Sequence, residues 1–123
     1  YIRGRRLRRT AGIRKLVRET LISASDLILP AFVVEGEGIR RPVSSMPGVE
    51  QVSIDELLPD AAALVRNGLG GLMLFGLPAS KDPVGSGAYA EDGIVQKALR
   101  TLKQHQPDLV LVTDVCLCEY TSH

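Results

Sequence analysis

Three short apolar runs, at residues 27–34, 71–76 and 109–112, dominate the hydrophobic pattern of the chain. Their sequences are LILPAFVV, GLMLFG and LVLV. Continuous apolar runs of this length, bounded by turn residues, are typical of strands that are buried on both faces of a parallel sheet. The pattern therefore predicts three buried strands. Pro30 lies inside the first run and indicates an edge or a bulge there, because proline lacks the N–H that a central strand donates.

Apolar residues recur at helical spacing in the segments that precede and separate these runs. Thr10 is placed to cap a short first helix with apolar residues Ile13, Leu16, Val17 and Leu21. Ser53 and Glu56 form a capping box for a second helix, which Asn67 and Gly68 end. A third helix carries Val95, Ala98, Leu99 and Leu102 on one face. The segments 35–51 and 77–91 are rich in glycine and proline and are predicted to be long loops.

The resulting order of strand, helix, strand, helix, strand predicts an α/β fold with two βαβ crossovers and a parallel sheet. A doubly wound sheet and a (β/α)8 barrel both fit this order. The strands recur about every 40 residues, and eight such units fall in the upper half of the roughly 200–400 residues of known barrels. Three parallel strands alone would leave both sheet edges unpaired. We therefore expect a basic arm with a short helix at 1–26, and the incomplete first part of a larger domain at 27–123.

Composition and charge narrow the class of protein. Hydrophobic residues make up 45% and charged residues 24% of the chain, as in ordinary globular proteins. No run approaches the ~20 apolar residues of a membrane-spanning helix, and the basic start lacks the apolar centre of a secretory signal. Two cysteines separated by one residue do not suggest a disulfide framework, so we expect the protein to reside in a reducing compartment, the cytoplasm. We also expect it to have no membrane partner.

The charge distribution is uneven. Eight of the 15 lysines and arginines lie within residues 1–18, whereas residues 19–123 contain seven basic and 14 acidic residues, a formal charge of −7. A basic arm of this kind can dock on an acidic neighbouring subunit, remain solvated, or bind nucleic acid or a membrane surface. Aromatic residues for base stacking are missing between the arginines. Docking on a neighbouring subunit is therefore the favoured interpretation, and binding to nucleic acid is disfavoured.

The richest chemistry follows the third apolar run, where parallel α/β proteins collect reactive groups. Cys116 and Cys118 form a C-x-C pair, and in an extended strand both sulfurs would point to one side and could face one metal ion. Thiolates favour zinc, which needs three or four ligands, and His123 could supply one. The pair could instead be two buried core cysteines or a redox pair.

Other candidate site residues have more than one possible role when judged from the sequence alone. Asp114 ends an apolar strand, where a carboxylate is costly unless it faces a cleft, is paired, ligates or caps a helix. Tyr120, Ser122 and His123 could act as acid–base groups or simply satisfy loop hydrogen bonds. Lys81, in the glycine-containing loop, could meet an anionic substrate or be solvated.

Five segments of the chain resemble the porphobilinogen synthase family, also called δ-aminolevulinic acid dehydratase, in the order in which that family carries them. They cover nearly the whole chain and are RGRRLRRT, LILPAFVVEGEGIRRPVSSMPGVEQVS, LMLFGLP, KDPVGSGAYAEDGIVQKALR and DVCLCEYTSH. The last of these is the most specific, since it resembles the family's metal-binding signature.

The resemblance implies a (β/α)8 barrel preceded by an N-terminal arm that wraps a neighbouring subunit of a homo-octamer. It implies a lyase that condenses two molecules of 5-aminolevulinate into porphobilinogen with loss of two waters, in tetrapyrrole and heme synthesis. Cys116 and Cys118 match two of the family's three zinc-binding cysteines, and Asp114 matches an aspartate at the active-site wall. Members without this zinc carry aspartate-type residues at the two cysteine positions, so the resemblance implies the zinc-dependent branch.

The family forms Schiff bases with its substrates on two lysines of later strands. Lys15, Lys81, Lys97 and Lys103 match neither of them, and the third zinc-binding cysteine would follow His123. We therefore expect the 123 residues alone to be inactive. The alternative is a small zinc- or nucleic-acid-binding module with a basic arm, against which the unpaired sheet edges argue.

Overall fold

The computed structural model describes residues 4–123. Residues 1–3, with the first arginine of the predicted arm, lie outside the described residues. The arm contains a 3₁₀ turn at Arg6–Arg8 and helix α1 at Ala11–Leu16. The N–H of Ile13 donates to Oγ1 of Thr10 over 3.2 Å, which confirms the predicted cap.

Helix α1 is shorter than the apolar pattern predicts. It ends at Leu16, so the prediction that Leu21 lies on the same helical face is wrong. Leu16 is 87% exposed, and Leu21 is exposed as well. A helix of six residues gains little from its own hydrogen bonds and is stabilised mainly by tertiary packing, which these side chains do not make within the described chain.

The three predicted strands are present and parallel. They are β1 at Ile28–Val34, β4 at Gly71–Leu77 and β5 at Val110–Thr113. Strand β4 lies between the other two, with Phe32 of β1 opposite Phe75 and Leu111 of β5 opposite Leu72. The predicted pair of βαβ crossovers is therefore confirmed.

Two further strands form in and at the end of the segment 35–51, which was predicted to be a loop. Strand β2 spans Arg40–Pro42 and pairs antiparallel with β3 at Glu50–Val52, which pairs parallel with β1. The sheet is thus mixed, in the order β2-β3-β1-β4-β5, and the prediction of an all-parallel sheet is wrong. The prediction that both edges of the three parallel strands are unpaired is wrong at β1, which β3 covers in part. Three-residue strands are too short to produce a detectable alternation, and β2 is exposed.

Pro30 is accommodated because β3 covers only part of β1. Strand β3 pairs with Phe32 and Val33, so it does not extend alongside Pro30. The missing N–H of the proline therefore costs less there than it would between two full-length strands.

Helices α2, at Ile54–Arg66, and α3, at Ile94–His105, form one buried core with the sheet. Strand residues Val33, Leu72 and Leu74 are at most 1% exposed. The helices contribute Leu57, Ala61, Ile94, Ala98 and Leu102. Phe32 and Phe75 are half-buried and pack with ring centroids 5.5 Å apart.

The predicted capping box of α2 does not form. Ser53 precedes the helix, but its Oγ accepts from the N–H of Ile39 over 2.9 Å, and Glu56 pairs with Arg40. The Arg40 guanidinium also contacts Glu50 and Asp60, at 2.8 and 2.9 Å, and so ties β2 and β3 to α2. The tertiary contacts of β2 therefore replace the local cap. Among residues 4–123, no helix has the length and apolar sequence to cross a membrane.

Candidate metal centre after strand β5

The chain turns at residues 117–121, shortly after β5 ends at Thr113. The N–H groups of Tyr120 and Thr121 both donate to the carbonyl of Leu117, at 2.9 and 2.8 Å. We call residues 114–123 the metal segment. It begins at the carboxyl end of β5, next to the end of β4, where parallel sheets commonly place ligand-binding residues.

Three potential ligand atoms converge in the metal segment. The Sγ of Cys116 and a carboxylate oxygen from each of Asp114 and Glu119 all lie within 4.8 Å of one another. Cys116 and Glu119 are half-buried and Asp114 is exposed. One thiolate with two carboxylates is a donor set that a divalent transition metal can accept. Asp114 was predicted from the sequence as a candidate site residue. The position of Glu119 beside it was not predicted.

The two cysteines do not have the strand geometry that the C-x-C argument assumed, since both follow the end of β5. The N–H of Cys118 donates to Sγ of Cys116 over 3.4 Å. Cys118 is exposed, and its sulfur is not part of the converging group. Because Cys116 is only half-buried and Cys118 is exposed, the interpretation as core cysteines is wrong; both are free thiols.

The surroundings of Cys116 favour its protonated form in the absence of a cation. The pKa of its thiol is raised, chiefly by the hydrogen-bonding side chain of Cys118. The N–H of Cys118 acts in the opposite direction, while burial and Glu119 raise the pKa further. A bound cation would act against this preference, because a thiol must lose its proton to become a metal ligand.

Tyr120 anchors the metal segment to the sheet. Its side chain is 8% exposed and lies against Gly76 of β4 and Gly87. Burial is the main cause of its raised pKa, and the charges of Glu119 and Asp114 add to the effect. Ser122 and His123 are exposed and lie outside the converging group. Of the three predicted acid–base candidates, the structure therefore brings only Tyr120 to the described ligand atoms.

The loop that follows β4 contacts the metal segment. This contact was not predicted from the sequence. Nζ of Lys81 donates to the carbonyl of Cys118 over 3.0 Å. Asp82 forms an isolated parallel bridge with Thr121, and its carboxylate accepts from the N–H groups of Val84 and Ser86. An aspartate followed by proline and glycine is a turn signal that could have indicated an ordered loop. It could not have indicated what the loop touches.

An open cleft of about 330 Å³ adjoins the metal segment. Apolar side chains of α3, Val95 and Leu99, form one wall, and Asp114 and Cys116 belong to the other. The cleft leaves Asp114 accessible, which is how the chain tolerates a carboxylate directly after an apolar strand.

Comparison with known proteins identifies the family of the chain. The family model described as delta-aminolevulinic acid dehydratase matches residues 1–123. The chain is 53% identical to the delta-aminolevulinic acid dehydratase of Halalkalibacterium halodurans and 48% identical to that of Bacillus subtilis. Each match covers 100% of the chain, and the chain spans 38% of the length of either relative.

A solved structure shows the same likeness in three dimensions. It is a delta-aminolevulinic acid dehydratase (porphobilinogen synthase) from Toxoplasma gondii in complex with the reaction product porphobilinogen. It matches with a TM-score of 0.88 and 35% identity, over 99% of this chain and 35% of that one. On these matches, the chain belongs to the delta-aminolevulinic acid dehydratase family.

Proposed function

We propose that the protein carrying this chain is a lyase that condenses two molecules of 5-aminolevulinate into porphobilinogen, for heme and other tetrapyrroles. The observation that carries the proposal is the family match over residues 1–123, which includes the metal segment. The related structure with bound porphobilinogen supports the same reaction. We expect the protein to act in the cytoplasm, without nucleic acid or membrane partners.

We further propose that β1, β4 and β5 are the first three strands of a (β/α)8 barrel, with 1–26 as an arm and 27–123 as the first part of the barrel. Two features support this. The helices bury one side of the sheet, whereas Phe32, Met73 and Phe75 of the strands are only half-buried. In addition, β5 is an edge strand of the described sheet and can pair with a further strand.

We propose zinc as the metal, with Cys116 and Cys118 as two of its ligands and Asp114 in the wall of the active site. The donor atoms fit the ion, since a thiol and two carboxylates already lie within 4.8 Å of one another and a second thiol is two residues away. Zinc bound there would supply a Lewis acid for substrate oxygen. Asp114 and Glu119 add negative charge that favours binding of a cation.

The amines that form Schiff bases with the substrates are proposed to lie outside these 123 residues. A lysine amine is the expected catalyst, because the iminium that it forms with a ketone is a better electron sink than the ketone. The family resemblance implies that such lysines lie on later strands. Within the described chain, no lysine ends a strand. Lys15 lies in α1, and Lys97 and Lys103 lie in α3. Lys81 lies in the loop after β4 and donates a hydrogen bond to the carbonyl of Cys118. The 123-residue chain alone should therefore be inactive.

We propose that the arm docks on a second copy of the protein in a homo-octamer. Leu16, Leu21 and Ile22 are 87%, 77% and 75% exposed. Leu16 lies within the basic stretch of the arm, and the other two follow its last arginine, Arg18. Apolar side chains at such exposure are stabilised when a partner covers them. A basic arm also complements an acidic body.

The test uses protein expressed from the natural open reading frame that contains this sequence. Porphobilinogen formation from 5-aminolevulinate is measured before chelation, after chelation, and after return of zinc. We expect activity to fall with chelation and to return with zinc, and a Cys116→Ser/Cys118→Ser variant to resist restoration. Activity that is indifferent to chelation would refute the zinc assignment, and a protein without activity under all conditions would refute the reaction.

A further inference from the structure

The metal segment has a second support besides Tyr120, namely the start of the loop that follows β4. Three hydrogen bonds join them. Nζ of Lys81 donates to the carbonyl of Cys118 at 3.0 Å, and the N–H of Asp82 donates to the carbonyl of Tyr120 at 3.2 Å. The N–H of Ser122 donates in return to the carbonyl of Asp82 at 3.0 Å. The bonded backbone groups belong to Cys118, Tyr120 and Ser122, so they lie on both sides of Glu119 in the sequence.

The loop is itself held in one conformation. The carboxylate of Asp82 accepts from the N–H of Val84 at 2.9 Å, from the N–H of Ser86 at 3.1 Å, and from the hydroxyl of Ser86. Gly85 adopts a left-handed conformation, with φ +63°, that lets the chain close around this carboxylate. Lys81 is therefore attached to a closed turn rather than to a free loop.

From this arrangement we infer that Lys81 is a positioning residue for the metal site. It fixes the peptide plane between Cys118 and Glu119 by binding its carbonyl, and so sets the direction of the side chains on either side. The inference rests on the proposed metal-dependent function and adds to it a residue that makes no metal contact. Groups that orient metal ligands from outside typically change metal affinity by about 10–100-fold when they are removed.

Charge supports the same role. The carboxylates of Asp114 and Glu119 and the thiol of Cys116 lie within 4.8 Å of one another. A bond from a cation to a peptide oxygen is stronger than one from a neutral donor, so it can hold the turn against the repulsion of these groups. Lys81→Met keeps an unbranched side chain that is one atom shorter, and it removes both the charge and the donor.

Lys103 provides a matched control. Its Nζ also donates to backbone carbonyls, those of Pro107 and Leu109 at 3.0 and 2.7 Å. These carbonyls precede β5, at the opposite end of the strand from the metal segment. A lysine-to-methionine change there removes the same kind of hydrogen bond without touching the metal segment.

The experiment compares wild type, Lys81→Met, Lys81→Arg and Lys103→Met in protein expressed from the natural open reading frame. Zinc affinity is measured by competition with a chromophoric chelator, and cobalt-substituted protein is measured by its thiolate-to-cobalt absorption. We expect Lys81→Met to weaken zinc binding about 10-fold or more and to alter the cobalt spectrum. Lys81→Arg, which keeps a cationic donor, should recover part of the loss, and Lys103→Met should match wild type.

The outcomes separate this inference from the proposed function. If wild type binds zinc and forms the thiolate–cobalt band, but Lys81→Met does the same with equal affinity, the positioning role is refuted and the metal site stands. If wild type itself shows no thiolate–cobalt band, the proposed metal site fails, and the inference fails with it. The melting temperatures of the metal-free proteins check folding, and Lys81→Gln replaces any Lys81→Met protein that does not fold.

Discussion

Replacing Gly76 by alanine tests the packing that holds the metal segment against β4. A Cβ built at this position lies 2.5 Å from the Tyr120 hydroxyl oxygen and 2.6 Å from Cγ2 of Val95. It also lies 2.9 Å from Cγ2 of Ile94. Optimal contacts between such atoms are roughly 3.5–4.0 Å, so all three side chains must move to admit one methyl group. Tyr120 and Ile94 are buried, which limits the room for that movement.

The expected cost follows from this crowding. An extra methyl group in a closely packed site typically costs about 1–3 kcal/mol, and three displaced side chains indicate the upper part of that range. The main-chain φ of Gly76 is not positive, so backbone strain adds nothing. For domains of 150–250 residues, about 1 kcal/mol corresponds to roughly 2–4 °C, so Gly76→Ala should lower the melting temperature by several degrees.

The assay is thermal unfolding of the metal-free protein, followed by circular dichroism at one protein concentration. Gly12→Ala is the control, because its Cβ would meet only Oγ1 of Thr10, at 3.9 Å. The double variant Gly76→Ala/Tyr120→Phe removes the nearest obstructing atom and should recover part of the loss. A Gly76→Ala protein that melts together with wild type and Gly12→Ala would refute the packing described here.

Three further predictions concern other parts of the chain. Arg40→Met should lower the melting temperature, and added salt should reduce the difference from wild type, because exposed ion pairs are screened; a salt-independent difference would contradict this. Hydrogen bonds from the side chain and then the backbone of Ser86 lower the pKa of Asp82, so its stabilising effect is complete above an unfolded-state pKa of about 3.9 and is lost as pH falls through the folded-state pKa. The difference in melting temperature between wild type and Asp82→Asn should therefore shrink below about pH 4, and a difference that stays constant down to pH 2 would argue against it. Gly85→Ala should cost about 1–2 kcal/mol, read as a lower melting temperature, because alanine is strained at φ +63°; an unchanged value would show that the turn can relax.

The sequence predicted the parallel part of the fold well because its signal is local and repeated. An unbroken apolar run identifies each of β1, β4 and β5, and helical spacing between them identifies α2 and α3. Strands β2 and β3 were missed because three residues cannot show a period, and because their stability comes from pairing and from Arg40 rather than from their own side chains. The capping box at Ser53 failed for the same reason, since Ile39 uses the serine oxygen.

The candidate site divides in the same way. The sequence by itself determined which chemistry is available, since Asp114, Cys116 and Cys118 follow a strand within five residues. The tertiary structure alone decided which atoms meet. It brought Glu119 to Cys116, left the Cys118 sulfur outside the group, and placed Lys81 against a carbonyl 37 residues later in the chain. A local pattern cannot specify such a contact, because it depends on β4 and β5 lying side by side in one sheet and ending at the same edge.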